Sequence, residues 1–283
     1  MDIPSLHGKV ILVTGGNAGL GRQAVIELAR HNPLQIWLTS RNLQNAEVAA
    51  AEIQQHVPSA SLRLLQLDLV SSQSIRRAAR EFTAQAERLD ILMLNAGTMA
   101  VPPGLTEDGY EMQFGTNYMG HALLTKLLLP VLQNTVQAKN PDVRIVCLAS
   151  HGHVYLRKGG FDFDTLQTTG ENVGPLQCYY QSKLANILWV RQMARRYHQL
   201  KTAAIDPGLV QTGLALKATG IPWWLRAVIK CMLLTSVEKG VKNQLWASVS
   251  EDVKSGEYYE PIGRGGLVTD DGKDDVLAEN LWN

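Results

Sequence analysis

The chain has 283 residues, 45% of them hydrophobic and 19% charged, an ordinary composition for a soluble globular protein. Its 27 basic and 26 acidic residues leave a formal net charge of +1, so nothing favours nucleic acid or an anionic membrane, both of which need clustered basic charge. Cys147, Cys178 and Cys231 are scattered and odd in number, which fits neither a disulfide framework nor a zinc site, and no metal is expected. No apolar run reaches the ~20 residues that span a bilayer. The N-terminus lacks a signal peptide's basic start and apolar core, and a reducing, cytoplasmic setting is expected.

Short apolar runs alternate with helical patterns along the first two thirds. Val10–Val13 reads as a buried strand that runs into Thr14-Gly15-Gly16-Asn17-Ala18-Gly19-Leu20-Gly21, and a helix continues through 22–30. Strands follow at 36–39, 62–67, Ile91–Leu94, 143–148 and 202–205. Helices are expected at Leu43–His56, 72–87, 110–132 and 179–197. The strands are apolar throughout, which argues burial on both faces and a parallel sheet covered by helices. With residues 257–259 as a last strand, the pattern predicts a single doubly wound α/β domain with a seven-stranded parallel sheet. Residues 1–150 read as its cofactor half and 151–283 as its catalytic half. The tail from Gly263 reads as polar and glycine-rich.

The glycine loop fits a dinucleotide cradle. Gly15 allows the tight turn, Gly19 lets a pyrophosphate approach the backbone and Gly21 permits close helix–strand packing. The helix that opens near Leu20 offers unpaired amides and the positive end of its dipole. About twenty residues later, where an acid would hold a ribose 2′-hydroxyl, the chain reads Leu38-Thr39-Ser40-Arg41-Asn42. Arg41 and Ser40 suit a 2′-phosphate instead, which favours NADP(H). Asp68-Leu69 is the expected adenine contact, and Asn95-Ala96-Gly97 lies along the ribose; each could equally be turn chemistry.

Tyr179 and Lys183, four apart on a predicted helix, face the same way. A lysine cation and an oxidised nicotinamide would both favour the tyrosinate, and a shift from the usual pKa of about 10 to about 7 would need about 4 kcal/mol. Tyr179 would then exchange a proton with a substrate oxygen while hydride moves at the same carbon. Ser150 can hydrogen-bond that oxygen, and Asn117 could hold a water linking Lys183 to solvent. Tyr180 competes with Tyr179, but its neighbour at +4 is Leu184.

In Thr14 to Gly21, Asn95 to Gly97, Asn117, Ser150, Tyr179, Lys183 and Pro207-Gly208, the chain resembles the short-chain dehydrogenase/reductase family over nearly its whole length. The resemblance implies a Rossmann fold and a catalytic set of Asn117, Ser150, Tyr179 and Lys183. It also implies cofactor contacts from Lys183, Pro207, Gly208, Val210 and Thr212, with Asn17 in the loop. Within the family the chain looks like retinol-dehydrogenase-like enzymes and fungal ketoreductases. Ala149-Ser150 replaces the usual Ser-Ser, and the N-terminal membrane anchor of many retinol dehydrogenases is missing, which weakens retinoid as the substrate. An NADPH-dependent reductase of a hydrophobic ketone or aldehyde is therefore expected. The alternatives are oxidation of a retinol- or steroid-like alcohol and a non-catalytic cofactor-binding sensor. Family members often pair their long helices, which would make a homodimer or homotetramer. Residues 209–235, with Trp223-Trp224, are expected to form a mobile hydrophobic lid bracketed by Gly213 and Gly220.

Overall fold

The computed structural model describes residues 2–138, 141–159, 161–211 and 235–283. Most of the expected lid, together with Thr212, Trp223, Trp224 and Cys231, lies outside the described residues. One sheet organises the rest, in the order β3-β2-β1-β4-β5-β6-β7-β8. Its strands are β1 (Val10–Val13), β2 (Gln35–Ser40), β3 (Leu62–Gln66), β4 (Ile91–Leu94), β5 (Arg144–Leu148), β6 (Lys201–Ile205), β7 (Glu257–Glu260) and β8 (Arg264–Gly265). All neighbours are parallel except β8, which runs antiparallel to β7. The sheet thus has one more strand than the seven expected, because the tail turns back at Gly263 and makes a two-residue edge that carries no strand pattern.

The continuous apolar strands resolve into two interleaved faces, as a period of two demands. Val10 and Leu12 join Trp37, Phe82, Leu124, Leu128 and Leu188 on one face. Ile11 and Val13 join Val25, Leu28, Ile36, Leu38, Ile53 and Leu245 on the other. The first face is covered by α3 (Ser72–Gln85), α5 (Gly120–Val136) and α6 (Pro175–Arg196), the second by α1 (Gly19–Ala29), α2 (Leu43–His56) and α8 (Lys242–Val249). Leu12 is fully buried between Trp37 and Leu92 in register, so Leu12→Ala would cost about 2–5 kcal/mol.

Local chemistry sets the helix ends. Asn42 caps α2 by accepting from the Gln44 and Asn45 amides, and Ser71 caps α3. The expected 110–132 helix is interrupted: α4 (Met112–Phe114) leads into a wider π-type turn at Gly115–Met119 before α5 begins. Helix α6 opens at Pro175, four residues before the expected start, with proline at its first position where no amide is needed. α7 (Val237–Gly240) precedes α8.

The tail is structured. Thr269 and Asp274 cap α9 (Asp270–Lys273) and α10 (Asp275–Trp282), and α10 lies on α6. Asp275 accepts from Arg191 and Arg195, and the Arg196 guanidinium sits 4.7 Å from the Trp282 ring centroid. Exposed pairs of this kind are each worth at most about 1 kcal/mol, so docking rests mainly on Leu277, Leu281 and Trp282 against the core.

Candidate active site

The strand order reverses between β1 and β4, and open parallel sheets bind ligands at the carboxyl ends of strands at such a point. β1 delivers its chain there into the glycine loop, where Gly15 and Gly19 take left-handed φ of 64° and 52°. A Cβ on Gly21 would collide with the Gly15 carbonyl and come within 2.5 Å of Asn95 Nδ2, so α1 crosses the loop as closely as backbone allows. Ala18 gives α1 no side-chain cap, and its first turn holds no acid. Gly19, Leu20 and Gly21 therefore open a helix whose positive end is free to meet an anion. The loop fits a dinucleotide pyrophosphate on these grounds.

Thr14 fastens the loop to the β4 turn. Its Oγ1 accepts from the Asn95 and Ala96 amides at 2.8 and 3.0 Å, while Asn95 Nδ2 donates back to the Thr14 carbonyl at 2.8 Å. Gly97 follows against Asn117 and Lys183: a Cβ there would lie 3.0 Å from Asn117 Oδ1 and 3.8 Å from Lys183 Nζ. At the end of β2, Ser40 is buried and its Oγ accepts from the Asn42 amide, while Arg41 is exposed. Arg22 pairs with Glu52, and the two line a cleft of about 190 Å³ with Asn17, Asn45, Val48 and Ala49. Asp68 Oδ1 accepts from the Val70 amide, and Leu69 is buried against Gly120.

Tyr179 and Lys183 share the buried face of α6, next to the end of β5. Lys183 Nζ donates to the Leu148 carbonyl at 2.8 Å and lies 5.6 Å from the Tyr179 ring centroid. Asn186 Nδ2 donates to the same carbonyl at 3.0 Å. Burial pulls the Lys183 ammonium down to about 8 and pushes the Tyr179 phenol up to about 12; a hydrogen bond with Ser150 acts against that rise. In the protein without a bound nicotinamide, desolvation is the largest influence on Tyr179, and it favours the protonated phenol. Ser150 Oγ also accepts from the Gly152 amide at 3.0 Å.

Asn117 is fully buried in the π-type turn. Its Oδ1 accepts from the Thr98 amide at 2.8 Å, and its Nδ2 donates to the Thr98 carbonyl at 3.0 Å and to Ser182 Oγ at 2.9 Å. That side chain is fully engaged, and the Asn117 main-chain carbonyl lies 3.0 Å from His121 Nδ1. At the end of β6, Asp206 accepts from the His151 and Gly208 amides, and burial raises its carboxyl above the usual range. Pro207 and Gly208 follow, and Val210 is buried against Gly240. Sequence reasoning passed over Asp206 and Ser182; the adjacent Pro207-Gly208 was a signal for the first, and nothing marked the second.

A cavity of about 940 Å³ lies between α5, α6 and α10, with Tyr118, Leu123, Trp189, Met193 and Leu281 in its wall. None of Ser150, Tyr179 and Lys183 lines it. These three candidate reacting groups lie elsewhere, near the strand ends.

A loop shaped for a dinucleotide, with a tyrosine, lysine and serine gathered at the neighbouring strand ends, defines a nicotinamide-dependent oxidoreductase site. Residues 9–159 match the short chain dehydrogenase family. A short-chain dehydrogenase/reductase of Aspergillus calidoustus is 36% identical, over 99% of this chain and 93% of its own. Human retinol dehydrogenase 13 is 35% identical, over 98% and 83%. The fold superimposes on a crystal structure of an uncharacterized protein from Mycobacterium paratuberculosis with a TM-score of 0.76 at 30% identity, covering 99% of this chain and 93% of the other. The chain belongs to the short-chain dehydrogenase/reductase family and is an oxidoreductase of small carbonyl or alcohol substrates. Among the described residues no helix is long and apolar enough to cross a membrane.

Proposed function

We propose that the chain is an NADPH-dependent reductase of a hydrophobic ketone or aldehyde. The observation that carries this reading is the buried Tyr179 on α6, with Lys183 Nζ 5.6 Å from its ring centroid and bonded to the Leu148 carbonyl at the end of β5. Bound nicotinamide supplies the hydride to the carbonyl carbon. Ser150 orients the substrate oxygen by hydrogen bonding. Tyr179 gives its proton to that oxygen as negative charge builds there, closing the alcohol O–H bond and leaving a phenolate. An alkoxide is a stronger base than even this raised tyrosinate, so the transfer runs downhill. Lys183, charged at neutral pH, stabilises the phenolate that remains. Arg41 and Ser40 would hold the 2′-phosphate, and the absence of an acid at that strand end supports NADPH over NADH.

A second reading, oxidation of a retinol- or steroid-like alcohol by the same groups in reverse, is favoured by the likeness to retinol dehydrogenase 13. Purified protein assayed with NADPH and NADH against a panel of hydrophobic carbonyls, and with NADP+ and all-trans-retinol, separates the two. NADPH consumption with a carbonyl is expected, with kcat/KM at least about tenfold above NADH. Retinol oxidation with no carbonyl reduced would establish the second reading, and cofactor binding without any turnover would support a sensor.

A further inference from the structure

His121 is 2% exposed on the first turn of α5, between the glycine loop and the Tyr179 helix. Its Nδ1 lies 3.0 Å from the Asn117 carbonyl and its Nε2 lies 2.9 Å from Thr14 Oγ1. A carbonyl only accepts, so the ring proton sits on Nδ1. Burial holds the imidazole at about 4, below its usual range, so the ring is neutral and Nε2 must accept. Thr14 Oγ1 already accepts two amides, and its single proton goes to Nε2 at 2.9 Å in preference to the Met93 carbonyl, which is 3.4 Å away. Each donor now points the same way along one buried thread. Thr14 donates to His121, His121 to Asn117, Asn117 Nδ2 to Ser182 Oγ at 2.9 Å, and Ser182 Oγ to the Tyr179 carbonyl at 2.7 Å.

We propose that His121 is a positioning residue: it fixes the cofactor loop and the Tyr179–Lys183 helix at one mutual distance. The inference rests on reading Tyr179 and Lys183 as the reacting groups. Thr14 and Asn117 sit on different elements, and among the described residues His121 is the side chain that hydrogen-bonds both. A histidine that only filled space would make neither bond, and an apolar ring of similar size would replace it without consequence. Removing the ring's polar edge leaves the Thr14 hydroxyl only the longer contact to the Met93 carbonyl at 3.4 Å, and takes the His121 donor away from the buried Asn117 carbonyl. Both the loop and the π-type turn then relax, and reacting groups displaced by a fraction of an ångström lose rate steeply.

The test compares His121→Phe, His121→Gln and His121→Asn, with Thr135→Val as a stability control. Thr135 is buried and hydrogen-bonded to Leu89 and Val131, on the far end of α5. The readouts are NADPH Kd by fluorescence, kcat, the deuterium isotope effect from labelled NADPH, and Tm. His121→Phe should raise Kd at least about threefold and lower kcat at least about tenfold, with a larger isotope effect. Gln, which can reach Thr14, should recover most of the Kd, whereas Asn, which is too short to reach it, should not. Thr135→Val should lower Tm while moving neither Kd nor kcat. The proposal is overturned if His121→Phe leaves Kd and kcat within about twofold of wild type, or if Thr135→Val reproduces both shifts. It is also overturned if a kcat limb near pH 6.5 disappears in His121→Gln, which would make the ring a proton carrier. Should His121→Phe not fold, the Gln and Asn variants decide alone. A wild-type protein that binds NADPH but reduces no carbonyl would defeat the functional reading and leave the Kd comparison standing.

Discussion

Acid should weaken this fold in a way that one buried ring controls. His121 stays neutral in the native state down to about pH 4, whereas in the unfolded chain it takes a proton below its ordinary 6.5. The folded pKa is depressed, so the unfolded state binds more protons between these values. The stabilisation is complete above about pH 6.5 and is lost as pH falls through about 4. About two and a half pH units at about 1.4 kcal/mol each give about 3 kcal/mol between pH 7 and 4. Lys183 adds to the effect, because its charge opposes a second cation on His121. His153 is lowered by burial as well, while Glu111 and Asp206 are raised, but these contributions are common to wild type and a His121 variant. Urea unfolding followed by tryptophan fluorescence at several pH values isolates the ring. Wild type should exceed His121→Gln by a margin that shrinks by about 3 kcal/mol from pH 7 to 4. A margin independent of pH would refute the buried neutral imidazole and the donor directions deduced from it.

Tyr179→Phe should cut kcat by at least about a hundredfold, since it keeps the ring and removes the transferable proton, while NADPH Kd stays within about twofold. Retention of more than about a tenth of kcat would reassign the proton donor. Reduction should slow as pH rises through about 8, where Lys183 loses its charge, and Lys183→Arg should abolish that limb; a wild-type profile flat across this region would free Lys183 from the step. Arg41→Asp should raise the Kd for NADPH and lower it for NADH, changing their ratio by about tenfold or more, as read by titration with both cofactors. An unchanged ratio would exclude Arg41 as the phosphate contact, and Arg22 is a poor substitute because it already pairs with Glu52.

The strands were legible because β1 and β4 are four consecutive apolar residues each, a pattern that only two-sided burial explains. The Asn42 and Ser71 caps, the Pro175 start of α6 and the caps at Thr269 and Asp274 all carry local signals, although the tail's were passed over. α10 is eight residues long and too short to show its period, and it is held by Arg191, Arg195 and the α6 face. Tyr179 and Lys183 could be paired by spacing, but the direction of the tyrosine pKa could not. Desolvation, the largest influence on it, is a property of what packs around the ring. Arg144 is the plainest case of a residue that no pattern foretells. It is 2% exposed at the start of β5, bonded to Asp142 and to the carbonyls of Ala247, Val249 and Ser250 at the end of α8. A cation buried on helix carbonyls is a tertiary arrangement that leaves one arginine before an apolar run as its only trace.

The site's polar groups divide into two kinds, and the division bears on how it works. Thr14, His121, Asn117 and Ser182 are buried in the sheet's helical cover, where an unmatched polar group costs about 1–3 kcal/mol. Apolar residues of similar volume would avoid that risk, so packing alone does not explain four polar side chains in series. Each has its donors and acceptors matched, which favours a single geometry between cofactor loop and catalytic helix. Around Ser150 the pattern differs. Tyr258 Oη and His153 Nε2 are buried without a partner among the described residues, and their rings stand 5.1 Å apart. His153 Nδ1 bonds the Ser150 carbonyl, and Asp206 beside them carries a raised pKa. Matched groups thus lie behind Tyr179, while unmatched groups gather near Ser150, the side chain that on the proposed reading would receive the substrate oxygen.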